Sequence, residues 1–175
     1  MPSNIEIKAR ARDFAEIRRR AEALSDVPCE VLAQQDTFFT TAKGRLKLRE
    51  LAGRPAQLIF YDRPDQDGPK RSNYFIFETD HPGDLKATLS LAYGVRGAVK
   101  KTRYLYLAGQ TRIHLDDVEG LGKFMELEVV MREDQTDAEG QAIAEGLMKS
   151  LGVDPGDLLE GAYMDMLESR AGPGQ

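Results

Sequence analysis

Polar and apolar residues alternate without a break from Asn4 to Arg10. Successive side chains of a strand project to opposite faces, so Glu6, Lys8 and Arg10 share one face while Ile5, Ile7 and Ala9 share the other. The period of two returns in Arg45-Leu46-Lys47-Leu48-Arg49, with cations at the odd positions and leucines at the even ones. Lys101 and Arg103 share a face, as do Arg112, His114 and Asp116, and as do Glu126 and Glu128. Beyond the first strand, extended segments are predicted over Glu30–Phe39, Arg45–Leu51, Pro55–Arg63, Ser72–Thr79, Val95–Leu107, Thr111–Val118 and Phe124–Met131.

Helical spacing occupies the remainder. Asp13 is placed to cap a helix reaching Leu24, with Phe14, Ile17, Ala21 and Leu24 as its apolar stripe. A second helix follows Pro82-Gly83-Asp84 and ends at Tyr93-Gly94, where glycine suits the terminus. A third spans Asp137–Ser150 and a last one Leu158–Leu167. The segment from Pro64 to Pro69 reads as a polar loop, and the tail 171–175 is expected to be disordered. Residues 1–170 form one domain on this reading.

Short links between strands imply antiparallel neighbours, and eight such strands suggest a closed or strongly curled sheet. If the charged faces looked outward, the chain would be an ordinary sandwich. The helices carry apolar stripes that need a surface to cover. That favours charged faces turned inward and leucines turned out beneath the helices, an α+β fold with an eight-stranded antiparallel β-barrel.

Composition limits what such a barrel can serve. The chain has 175 residues, a charged fraction of 30% and a net charge of −5. An acidic molecule is a poor general binder of nucleic acid, so any anion site must be a local gathering of Lys and Arg. The single cysteine, Cys29, allows no internal disulfide. No apolar run reaches membrane-spanning length and the N-terminus lacks a signal-peptide core, so a cytoplasmic location without membrane association is expected.

The cations on the presumed strands include Lys8, Arg10, Arg45, Lys47, Arg49, Arg63, Lys101, Arg103 and Arg112. Guanidinium forks and ammonium groups are natural holders of phosphate oxygens. Glu126 and Glu128 place two carboxylates on one face, and with Glu6 and Asp116 could form oxygen ligands for Mg²⁺ or Mn²⁺. A Glu-x-Glu pair on a strand fits a solvated face equally well by itself. His114, among these charges, either transfers protons or hydrogen-bonds a neighbour. Asp117 and Glu119 fall off the Asp116 face, and Tyr74 and Phe75 are expected to serve packing.

Several short motifs, in order, resemble those of the CYTH superfamily, the triphosphate tunnel metalloenzymes. They are Asn4-Ile5-Glu6-Ile7-Lys8, Gln35-Asp36-Thr37-Phe38-Phe39, Arg45-Leu46-Lys47-Leu48-Arg49, Lys101-Thr102-Arg103, Arg112-Ile113-His114-Leu115-Asp116, Gly120-Leu121-Gly122 and Phe124-Met125-Glu126-Leu127-Glu128, with Tyr163-Met164-Asp165-Met166-Leu167 near the end. The resemblance implies a tunnel binding a triphosphate with Mg²⁺ or Mn²⁺. It implies Glu6, Asp116, Glu126 and Glu128 as metal ligands and Lys8, Arg45, Lys47, Arg49, Lys101, Arg103 and Arg112 as phosphate contacts. Of these, Lys8, Arg49 and Lys101 are the expected catalytic residues. The implied activity is a metal-dependent phosphohydrolase acting on an inorganic, thiamine or nucleoside triphosphate. The alternatives are a class IV adenylate cyclase or a non-catalytic triphosphate-binding module. The expected partner is a small-molecule triphosphate, and the expected state a monomer or homodimer. One departure stands out: Asn4 occupies the position of the first signature glutamate.

Overall fold

In the computed structural model, which describes residues 1–172, the strands close into a barrel in the order β1-β5-β4-β3-β2-β6-β7-β8. They are β1 (Ser3–Arg10), β2 (Glu30–Phe39), β3 (Arg45–Leu51), β4 (Ala56–Asp62), β5 (Lys70–Thr79), β6 (Val95–Ala108), β7 (Thr111–Val118) and β8 (Gly122–Val130). All neighbours are antiparallel. The helices are α1 (Phe14–Leu24), α2 (Pro82–Tyr93), α3 (Asp137–Leu151) and α4 (Tyr163–Ala171).

The leucines and isoleucines of the alternating strands do face outward beneath helices. Ile5 and Ile7 of β1, Ile113 and Leu115 of β7 and Leu127 of β8 are buried in one cluster with Ile17 and Ala21 of α1 and Ala144 and Met148 of α3. Removal of such apolar surface from water drives the helices onto the barrel, at about 25 cal/mol per Å². The contact is close enough that a Cβ on Gly140 of α3 would lie 2.7 Å from Ile5 Cγ1. Asp13 caps α1 by accepting from the Glu16 amide at 3.0 Å, and Thr136 and Glu139 form a capping box on α3.

Several sequence expectations need correction. Helix α2 buries none of its residues completely; Leu85 and Leu89 rest on Phe39, Leu48 and Ala56, and Leu91 points to solvent. Phe75 is exposed on the outer face of β5, while Tyr74, the residue before it on the pleat, lines the interior. The last helix begins at Tyr163 rather than Leu158. Pro155–Asp157 make a single 3₁₀ turn, and Leu158 forms an antiparallel bridge with Ala9 of β1. From there the chain stays non-helical until Gly161, at φ +77°, turns it into α4. Within the expected tail, Ala171 closes α4 and positions 173–175 lie outside the described residues.

Candidate functional site

Inward-facing side chains of all eight strands enclose a cavity of about 350 Å³. β1 contributes Asn4, Glu6 and Lys8, β2 Gln34 and Asp36, and β3 Lys47 and Arg49. β6 adds Lys101 and Arg103, β7 Arg112 and His114, and β8 Glu126 and Glu128; Arg63, just past β4, joins them. The strict alternation at these positions places every one of them on the concave face. Antiparallel register then sets charges opposite one another, with Glu6 across from Glu128, Lys8 across from Glu126 and Asp36 across from Arg49.

The lumen cations are matched by internal carboxylates. Arg49 donates to Asp36 through Nε at 2.8 Å and through its terminal nitrogen at 2.9 Å, and Lys47 Nζ donates to the same carboxylate at 2.9 Å. Burial opposes ionisation of Asp36, but Arg49 and Lys47 outweigh it and hold the carboxyl well below its ordinary range. Arg103 grips Asp116 bidentately at 2.7 Å for each contact and reaches Glu126 at 3.0 Å. Lys8 Nζ lies 3.2 Å from the other Glu126 oxygen, and Arg63 Nε lies 2.7 Å from Glu6. Burial, reinforced by Arg103, pulls the Lys101 ammonium down to about 7. Burial, with Arg63 beside it, pulls Lys70 down to about 8.

A second feature is a close group of donors. A ring nitrogen of His114 and one carboxylate oxygen each from Glu126 and Glu128 lie within 4.8 Å of one another. His114 sits across from Glu126 in the β7–β8 register, so adjacent strands hold the group rigidly.

One end of the barrel is closed by the chain preceding α4. The Gly161 carbonyl accepts from Arg63 at 2.8 Å and from Lys8 at 3.3 Å, and the Leu159 carbonyl lies 3.5 Å from Lys70 Nζ. The Tyr163 ring lies under two ammonium groups, with Lys8 Nζ 3.9 Å and Lys101 Nζ 4.9 Å from its centroid. These carbonyl contacts explain why helix does not begin at Leu158: lumen cations hold that backbone in a non-helical path.

Most residues expected from the sequence meet in this lumen: Glu6, Lys8, Lys47, Arg49, Lys101, Arg103, Arg112, Glu126 and Glu128 all line it. Arg45 does not; it sits beside the closed end, paired with Asp65 at 2.7 Å and Asp165 at 3.3 Å. Asp116 is fully buried, with both oxygens taken by Arg103 and a further bond from Tyr163. Glu6 faces Glu128 across the β1–β8 pairing and is ion-paired with Arg63, and it is not one of the three clustered donors. The sequence pattern assigned no role to Asp36 or Tyr163. Asp36 shares its strand face with Gln34 and Phe38, an acid amid the cations opposite, and that was the available signal.

The sequence model of the CYTH domain matches residues 3–163. The chain belongs to the CYTH domain family. No curated protein matches it in sequence. Solved structures share the CYTH fold: the PH1012 protein of Pyrococcus horikoshii superposes with a TM-score of 0.80 at 24% identity, over 93% of this chain and 98% of that one. An adenylate cyclase candidate from Vibrio parahaemolyticus gives 0.78 at 20% identity, over 94% and 97%. An adenylyl cyclase candidate from Hippeastrum, described as having a dominant triphosphatase activity, gives 0.67 at 15% identity, over 100% and 98%. No helix among the described residues of this CYTH chain is long and apolar enough to cross a membrane.

Proposed function

We propose that this CYTH protein is a metal-dependent phosphohydrolase that cleaves a small triphosphate held in the barrel lumen. The observation that carries the reading is the convergence of Lys8, Lys47, Arg49, Arg63, Lys101 and Arg103 on one enclosed cavity. The triphosphate oxygens take over the contacts these cations now make with Asp36, Glu6 and Glu126. Fixed cations in a buried site need no reorganisation as charge develops during P–O cleavage, and such electrostatic stabilisation usually contributes more to catalysis than any other effect. Lys8, Arg49 and Lys101 are assigned this catalytic role.

A divalent cation fits the donor set on an observation of this structure: His114 Nδ1 is buried beside two carboxylates without a hydrogen-bond partner. Glu126 and Glu128 would hold the ion, which would neutralise phosphoryl charge when bound. The volume of about 350 Å³ is near the lower end of ligand pockets, about 300–1,000 Å³, and supports a compact polyanion over a whole nucleotide.

The test is a screen of phosphate release from tripolyphosphate, thiamine triphosphate and ATP with Mg²⁺ or Mn²⁺, beside an assay for cyclic AMP. Phosphate release from at least one triphosphate is expected. Cyclic AMP without phosphate release would assign a cyclase, and binding without turnover would assign a binding module.

A further inference from the structure

We propose that His114 is itself a metal ligand, completing with Glu126 and Glu128 a mixed nitrogen–oxygen site that takes Mn²⁺ in preference to Mg²⁺. The inference rests on the metal-dependent reading above and concerns which atoms hold the ion.

The ordinary role of a core histidine is a hydrogen bond to a neighbour, and that role fails here. His114 is only 3% exposed, and its Nδ1 has no hydrogen-bond partner. The nearby Glu126 Oε2 is 3.6 Å away, too long for such a bond. Leaving a buried polar atom unpaired costs about 1–3 kcal/mol, so an atom left in that state calls for a partner from outside the chain.

Charge pairing does not supply the partner either. Glu126 Oε2 already takes Arg103 at 3.0 Å, and Oε1 lies 3.2 Å from Lys8. An imidazolium would be a third cation on one carboxylate. In the neutral tautomer protonated at Nε2 the Nδ1 lone pair faces a carboxylate oxygen and is repelled unless a cation stands between them; the other tautomer leaves its N–H 3.6 Å from that oxygen, beyond hydrogen-bond reach. The cation that suits is one accepting nitrogen and carboxylate together.

The carboxylate of β1 is not one of the three clustered donors: Glu6 faces Glu128 across the β1–β8 pairing but lies 2.7 Å from Arg63, and Asn4, two residues before it, carries no charge. The third donor of the group therefore comes from β7. Mg²⁺ favours oxygen ligands and keeps much of its water, whereas imidazole nitrogen raises affinity for divalent first-row transition metals. A His–Glu–Glu set thus shifts selectivity from Mg²⁺ toward Mn²⁺.

The experiment is pulsed electron paramagnetic resonance of the whole protein loaded with Mn²⁺, with and without tripolyphosphate. Directly bound imidazole nitrogen modulates the Mn²⁺ echo. The chain has two histidines, so growth on histidine labelled with the heavy nitrogen isotope must change the modulation frequencies. His81→Gln, at the start of α2, should leave the signal intact, and His114→Gln should abolish it. Calorimetry should show Mn²⁺ affinity falling about tenfold or more in His114→Gln, the scale on which metal sites respond to lost support, with Mg²⁺ affinity less affected. Should His114→Gln fail to fold, the labelled wild type and His81→Gln still decide the point. Bound Mn²⁺ without nitrogen modulation, or modulation that survives His114→Gln, would overturn the ligand assignment and leave an all-oxygen metal site standing. Failure of wild-type protein to bind Mn²⁺ under either condition would overturn both this inference and the metal dependence on which it rests.

Discussion

Tyr163 Oη donates to Asp116 Oδ2 at 2.9 Å, and this bond ties the first residue of α4 to the inner face of β7. Asp116 is in turn the bidentate partner of Arg103, so the segment closing the barrel and the lumen cations are coupled through one carboxylate. Tyr163→Phe keeps the ring and removes the bond. A hydrogen bond to a charged group contributes about 1.5–3 kcal/mol, and urea unfolding should show a loss of that size. Asp116→Ala should cost more, about 3–5 kcal/mol, because it leaves the Arg103 charge buried and unpaired.

Glu126→Gln and Glu128→Gln each remove a carboxylate charge from the proposed metal site while nearly preserving volume. Triphosphate turnover should fall by about a hundredfold or more in both, the scale of losing one preorganised electrostatic contact. Far-ultraviolet circular dichroism should report an unchanged fold. Wild-type turnover in both variants would argue against a carboxylate-held ion.

The lumen predicts a pH dependence of binding. Lys101 titrates at about 7 in the free protein, against an ordinary 10.5, because burial and then Arg103 disfavour its charge. An incoming triphosphate restores the charged form, so binding takes up a proton. Affinity for tripolyphosphate should therefore fall as pH rises through about 7. Calorimetry in two buffers of different protonation enthalpy measures the proton uptake directly. Lys101→Arg, charged throughout, should flatten the dependence.

Stability should respond to acid with the opposite emphasis. Asp36 is held below its ordinary range in the folded chain, since Arg49 and Lys47 outweigh the burial that would raise it. A carboxylate depressed by folding contributes stability above its unfolded value, about 3.9 for aspartate, and that contribution is lost as pH falls below it. Unfolding free energy should thus decline below about pH 4, and Asp36→Asn should show a shallower decline from a lower starting value.

The sequence revealed the charged lumen because period-two alternation is a property of single strands. Lys47 and Arg49 face inward in the barrel for the same local reason that they share a face on paper. What it did not reveal depends on contacts far apart along the chain. The start of α4 is displaced to Tyr163 by lumen cations from β1, from β5 and from Arg63 just past β4, acting on the backbone at Leu159 and Gly161. The pairing of Glu6 with Arg63, 2.7 Å away but more than fifty residues distant in sequence, is likewise beyond any local pattern. The exposure of Phe75 and the partial seating of α2, which meets the barrel at Leu85 and Leu89, also depend on which strands the helix covers.

Calorimetric titration of tripolyphosphate into the wild-type protein and into Arg49→Gln decides whether the lumen is the binding site. Arg49 bridges the wall at Asp36 and points into the cavity, so a triphosphate held there must engage it. One tripolyphosphate should bind per chain, with an affinity about tenfold to a hundredfold weaker in Arg49→Gln, the loss of one charge-assisted contact of about 1.5–3 kcal/mol. No binding by the wild type, or equal affinity in the two proteins, would refute the lumen assignment.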